Sequence, residues 1–243
     1  MVVHLLTNAS INNGVETFQN SVYAIHGLGK VLWIVEWVFI FIPLLFHAIF
    51  GVIIVQSGLP NHSSYRYTNN FRYSLQRATG MIAFLFIMWH VFHMHGWFHF
   101  GPWVHSIVEP LGGGMFRPYN AASTAAAALQ GSIIVQILYF IGVMSCVFHL
   151  ANGIWTMGIT WGVWVTPASQ RWANYVCAGF GVLLALVSLG ALGGFLGVDV
   201  AKARKIEERM YEARTADGTV IPDEHKLWHE PKEDAKEMAK ATE

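Results

Sequence analysis

Four long intervals without Asp, Glu, Lys or Arg constrain this chain more than anything else in it. Uncharged residues number 29 between Glu36 and Arg66, 31 between Arg77 and Glu109, 53 between Arg117 and Arg171, and 27 between Arg171 and Asp199. A helix that crosses a bilayer needs about 20 predominantly apolar residues, so each interval holds a span. Apolar character starts at Val31 in the first, and the spacing predicts helices over 31–56, 76–100, 130–156 and 172–197. The longest interval has length enough for two, but 118–130 is too polar and alanine-rich for lipid, and Thr166–Pro167 closes the far end. One long helix that emerges from the membrane is expected there. Trp33, Trp37, Trp97, Trp103, Trp155, Trp161, Trp164 and Trp172 fall near the proposed ends, as an interfacial aromatic belt does. The expected fold is an all-α membrane bundle with four complete transmembrane helices.

The charges that remain are unevenly placed. Residues 201–243 hold 20 of the 30 Asp, Glu, Lys and Arg side chains, whereas 12% of the whole chain is charged against about 25% in soluble domains. The chain therefore divides into a membrane domain over 1–200 and a charged tail over 201–243, expected to be a solvated helix or a partly disordered end. No basic face exists for nucleic acid. Cys146 and Cys177, the two cysteines, sit in apolar runs and supply neither a disulfide framework nor a zinc or iron–sulfur site. No n-region and h-region of a signal peptide precede residue 20, and no solenoid or propeller period is present. Arg66, Arg72, Arg77 and Arg171 flank one side of the spans, against Lys30 and Arg117 on the other. The positive-inside rule then places the 57–75 loop in the cytoplasm and the tail outside, in a multi-pass protein of the cell's inner (cytoplasmic) membrane.

Three histidines stand deep inside the predicted spans: His47, His90 and His149, each on a different helix and flanked by apolar residues. Any one alone is accounted for by an interhelical hydrogen bond from a neutral imidazole. Three on separate helices point to function, because an ionisable group in lipid is costly to keep. Surroundings poor in cysteine and carboxylate exclude zinc and di-iron sites, which leaves imidazole ligation of haem iron between helices. Depth pairs the ligands. His47 lies about 14 Å and His149 about 11 Å from the inner ends of their helices, so the two share a level. His90 lies about 15 Å from the outer end of its helix and needs a partner elsewhere.

Several blocks carry a resemblance: 46–51 (FHAIFG), 73–80 (YSLQRATG), 89–92 (WHVF), 148–155 (FHLANGIW) and 160–171 (TWGVWVTPASQR). In order and spacing they resemble the di-haem cytochrome b subunit of succinate:menaquinone oxidoreductases and of the related quinol:fumarate reductases, over about 2–197. The family has five spans. The start of this chain, with His4 in 2–8 (VVHLLTN) and Glu16 twelve residues on, resembles the outer end of the family's first helix. The resemblance implies two haem b groups, an inner one held by His47 and His149 and an outer one by His4 and His90. It also implies an upstream segment of about 20 apolar residues completing the first helix. It further implies a flavoprotein subunit with FAD, an iron–sulfur subunit, and menaquinone as the electron acceptor, with no succinate site on this chain. Succinate oxidation and fumarate reduction use the same wiring.

Other residues carry smaller expectations. Glu36, the only carboxylate within a span, lies about 16 Å outward of His47 along its helix. It is a candidate proton donor at the quinone, or a hydrated interfacial residue near Lys30. Arg77 is a candidate contact for a propionate or for a partner subunit, or a snorkelling surface residue. His93, with His95 and His99, is expected at the interface or at a propionate. His26 and His105 fall in outer loops, and His62, His225 and His229 are expected to be exposed. Two rival readings remain: a di-haem cytochrome b subunit of a hydrogenase or formate dehydrogenase, and a transporter whose histidines relay protons.

Overall fold

A computed structural model describes residues 1–57, 64, 67–98 and 100–229. Among them there is no strand, and eight helices of eight or more residues build the molecule. These are α1 (Val2–Ala9), α2 (Val15–His26), α3 (Lys30–Gln56), α4 (Thr68–His95), α5 (Ala121–Gln130), α6 (Ile133–Thr160), α7 (Pro167–Leu196) and α8 (Val200–Ala216). Four of them, α3, α4, α6 and α7, are long and apolar enough to cross a bilayer. The chain is an all-α membrane bundle.

The bundle is a row in which α4 packs on α6 and α6 on α7, with α1 laid along α7. Small residues set the close approaches. A Cβ at Gly142 on α6 would meet the Phe86 ring of α4 at 2.1 Å, and one at Gly194 on α7 would meet Ile11 at 2.6 Å. Leu5 of α1 packs with Val147 and Leu184, which seats the first helix in the bundle. The span α3 stands apart, with none of its most apolar window buried. It contains a π turn at Trp37–Phe41. Pro43 has no N–H to give the carbonyl four residues back, at Phe39, and the π turn absorbs that break.

At the end of the bundle where α3 begins and α7 ends, α2, α5 and α8 form a cap. Its core joins Phe18, Val22, Ala121, Ala122, Ala126 and Leu129 to Phe195 of α7. Alanines let α5 lie close to its neighbours, and Ala121, Ala122 and Ala126 are fully buried.

Four expectations need correction. The second span runs Thr68–His95 rather than 76–100. Asn70 and Arg72 continue the helix past the apolar stretch, and Gly96, at φ +80°, ends it by turning its N–H back to Phe92 and Val91. The single emerging helix is two, broken at Gly131 and restarted by Ser132, whose hydroxyl accepts from the Ile134 N–H at 3.2 Å. Thr166–Pro167 opens α7 rather than merely closing the span before it. Thr166 and Ser169 form a capping box, and Pro167 takes the first helical position, where its missing N–H costs nothing. The tail is not simply solvated, since α8 buries Ala203 and Glu207 against the cap. Residues 230–243, the remainder of the tail, lie outside the described residues.

Candidate functional site

The bundle brings four histidines from four helices together in two pairs. His47 of α3 faces His149 of α6 with ring centres 5.9 Å apart and planes at 75°. His4 of α1 faces His90 of α4, also at 5.9 Å, with planes at 74°. Imidazole–metal bonds run about 2 Å, so rings facing across a metal stand about 6 Å apart. Among the described residues no cluster of three or more His, Cys, Asp or Glu exists to hold a metal by side chains alone. Two isolated histidine pairs suit a group that brings its own in-plane donors, and haem with two axial imidazoles is such a group.

Hydrogen bonds from the bundle orient two of the four rings, and at His149 they fix the tautomer. His149 Nδ1 lies 3.1 Å from the Gln76 backbone oxygen; a carbonyl only accepts, so Nδ1 carries the proton and Nε2 is left for a metal. The Gln76 side chain closes the contact, donating to the His149 carbonyl at 3.0 Å and accepting from Asn152 at 2.8 Å. Gly80 makes room: a Cβ there would sit 2.7 Å from the His149 ring. At the other pair, His90 Nδ1 meets the Tyr139 hydroxyl at 3.1 Å while Phe86 stacks on the ring. The same hydroxyl meets His93 Nδ1 at 3.0 Å.

His93 is thus buried under Trp89, ring on ring with centres at 4.9 Å. Arg77 donates to the carbonyls of Ile54 and Val55 at the end of α3 and lies over Tyr73. It ties the outlying span to α4. Glu36 is half-buried on α3 just before the π turn. His26 ends α2 within the cap, where burial and Lys226 push its pKa down to about 4. His105 pairs with Glu109 at 3.0 Å on the surface, and His225 and His229 are exposed. His62 and His99 lie outside the described residues.

Over 196 residues the chain is 32% identical to the succinate dehydrogenase cytochrome b558 subunit of Bacillus subtilis (strain 168), a match that takes in 81% of this chain and 88% of that protein. The chain belongs to the succinate dehydrogenase cytochrome b subunit family. It is accordingly a multi-pass membrane subunit of an oxidoreductase complex. No protein-family model matches the chain, and no solved structure matches it.

Sequence reasoning on this cytochrome b family member missed Gln76, Gly80 and Tyr139 as parts of the site. The first two lay within the block at 73–80 that carried the resemblance, but their partner is about 70 positions away. Tyr139 gave no signal beyond a polar atom in an apolar run.

Proposed function

We propose that this chain holds two haem b groups, one between His47 and His149 and one between His4 and His90. Through them it passes electrons from an iron–sulfur partner subunit to menaquinone in the cytoplasmic membrane. The observation that carries the reading is the pair of matched histidine facings, 5.9 Å each, contributed by four separate helices. Bound haem supplies a one-electron iron couple at each pair. The chain's own residues do the rest. Gln76 and Tyr139 hold the ligand rings in one orientation, and Phe86, Trp89 and the apolar helix faces exclude water around them. Glu36 sits where a proton donor is useful, because reduction of a quinone to its quinol takes up two protons. Succinate is handled elsewhere, on a flavoprotein subunit with FAD, and this chain anchors that assembly, conducts electrons and serves the quinone.

The test is succinate-driven menaquinone reduction, and its reverse, in membranes carrying the complex with Glu36 or Glu36→Gln. Both haems are expected to be retained and quinone-linked turnover to be slowed in the variant. Unchanged turnover with normal assembly removes Glu36 from the proton path. Co-purification with a nickel or molybdenum partner in place of a flavoprotein contradicts the assignment to succinate.

A further inference from the structure

Arg72 is a half-buried cation among the spans, and its setting is built from neutral groups. Its guanidinium donates to Asn152 Oδ1 from Nε at 2.9 Å and from Nη2 at 2.6 Å, and to Asn174 Oδ1 from Nη1 at 2.7 Å. It lies 4.0 Å over the Trp155 ring. Three helices, α4, α6 and α7, therefore meet on this one side chain. No carboxylate among the described residues forms an ion pair with it, so its charge is held in place rather than neutralised. An arginine that serves only to snorkel would reach for water or headgroups instead.

The same asparagine links the charge to the histidine pair. Asn152 is buried, and its Nδ2 donates to Gln76 Oε1 at 2.8 Å. Gln76 in turn holds His149 from both sides, through its backbone oxygen and its side-chain amide. Arg72 lies one helical turn from Gln76 on α4, and three hydrogen bonds, through Asn152 and Gln76, lead from the guanidinium to a ligand ring. A fixed positive charge near a redox centre in a low-dielectric setting favours the reduced form, because reduction adds an electron.

We propose that Arg72, positioned by Asn152, Asn174 and Trp155, raises the reduction potential of the haem held by His47 and His149. The inference rests on the haem reading above. Arg72 touches neither ligand, so it acts as a positioning and electrostatic residue.

The experiment is a redox titration of the purified complex, in which each haem is followed by its own absorbance step. The step belonging to the His47–His149 haem is identified by its loss in His47→Ala. Three variants are compared with the wild type. Asn174→Asp places a carboxylate at a contact of 2.7 Å and neutralises the charge where it stands. Arg72→Gln removes it, and Arg72→Lys keeps it. The expected result is a downward shift of that one midpoint in Asn174→Asp and Arg72→Gln, with the other midpoint unmoved and Arg72→Lys closest to the wild type. Unchanged midpoints, or equal shifts of both, overturn the proposal. Failure of Asn174→Asp and Arg72→Gln alike to assemble makes Arg72 structural only and also overturns it. A wild-type complex with no haem at His47 and His149 overturns the underlying reading instead.

Discussion

His149 donates its Nδ1–H to the backbone carbonyl of Gln76 across 3.1 Å, while the Gln76 side chain returns a hydrogen bond to the His149 carbonyl at 3.0 Å. This reciprocal contact locks α4 to α6 at the level of a ligand ring. It fixes the tautomer without any carboxylate, which suits a site inside lipid where an added charge is expensive.

Gly80→Ala should damage this site selectively. The new Cβ would lie 2.7 Å from Cε1 and 3.0 Å from Nδ1 of His149, and overpacking of this kind costs about 1–3 kcal/mol. The ring has to turn away from His47. Haem per subunit in the purified complex is expected to fall from two toward one, with the spans still inserted. Two haems with an unaltered spectrum would show that the ring has freedom the close contact denies it.

Tyr139→Phe should weaken the other pair. The ring keeps its edge contacts with Phe86 and Trp89, but His90 and His93 lose the hydroxyl they share. Loss of a partner that orients a ligand costs roughly 10–100-fold in affinity. Retention of that haem during competition with an apo-haem acceptor is the measurement, and equal retention in the variant would reduce Tyr139 to packing.

Glu207→Ala should release the tail. The carboxylate is fully buried and accepts from the backbone N–H of Ala122 at 2.6 Å and of Ser123 at 3.0 Å, and from the Ser123 hydroxyl. It therefore caps the start of α5, where a negative group is favoured. Removing it strands buried donors, at about 1–3 kcal/mol. Limited proteolysis after α7 is expected to quicken in Glu207→Ala and much less in Glu207→Gln, which keeps an acceptor oxygen. Equal cleavage of wild type and Glu207→Ala would contradict the capping role.

The cap should also respond to acid through His26. Its pKa is lowered from 6.5 to about 4, chiefly by burial and then by Lys226. The folded state thus binds fewer protons than the unfolded one, so this contribution is present above pH 6.5 and is lost as pH falls toward 4. Glu207, pushed up by burial, has the opposite slope, its contribution fading as pH rises through its raised value. Comparing wild type with His26→Gln isolates the histidine. The melting temperature of the complex in detergent should fall less between pH 7 and pH 4 in the variant, and identical profiles would exclude His26 as the cause.

The four spans were legible because charge is nearly absent from lipid, and a gap in charge is visible without any partner. Depth along two helices placed His47 and His149 at one level for the same reason: rise per residue is a local property. What escaped depended on contacts between distant parts of the chain. Glu207 looked like one more surface charge, since nothing near 207 shows that α5 supplies its hydrogen bonds from more than 80 positions away. Gly131–Ser132 divides the alanine-rich α5 from the span α6, where one continuous emerging helix was expected. Arg77, read from its place at a helix end, proved to hold the carbonyls of Ile54 and Val55 on a neighbouring span.

Haem stoichiometry in histidine variants is the sharpest check on the paired two-haem assignment. The measurement is a reduced-minus-oxidised spectrum with haem content per subunit, made on the purified complex for the wild type and for His4→Ala, His47→Ala, His90→Ala and His149→Ala. Two b-type haems are expected in the wild type and one in each variant. His47→Ala and His149→Ala should lose the same spectral component, and His4→Ala and His90→Ala the other. Two haems retained in any of the four, or losses that pair His47 with His90, would contradict it.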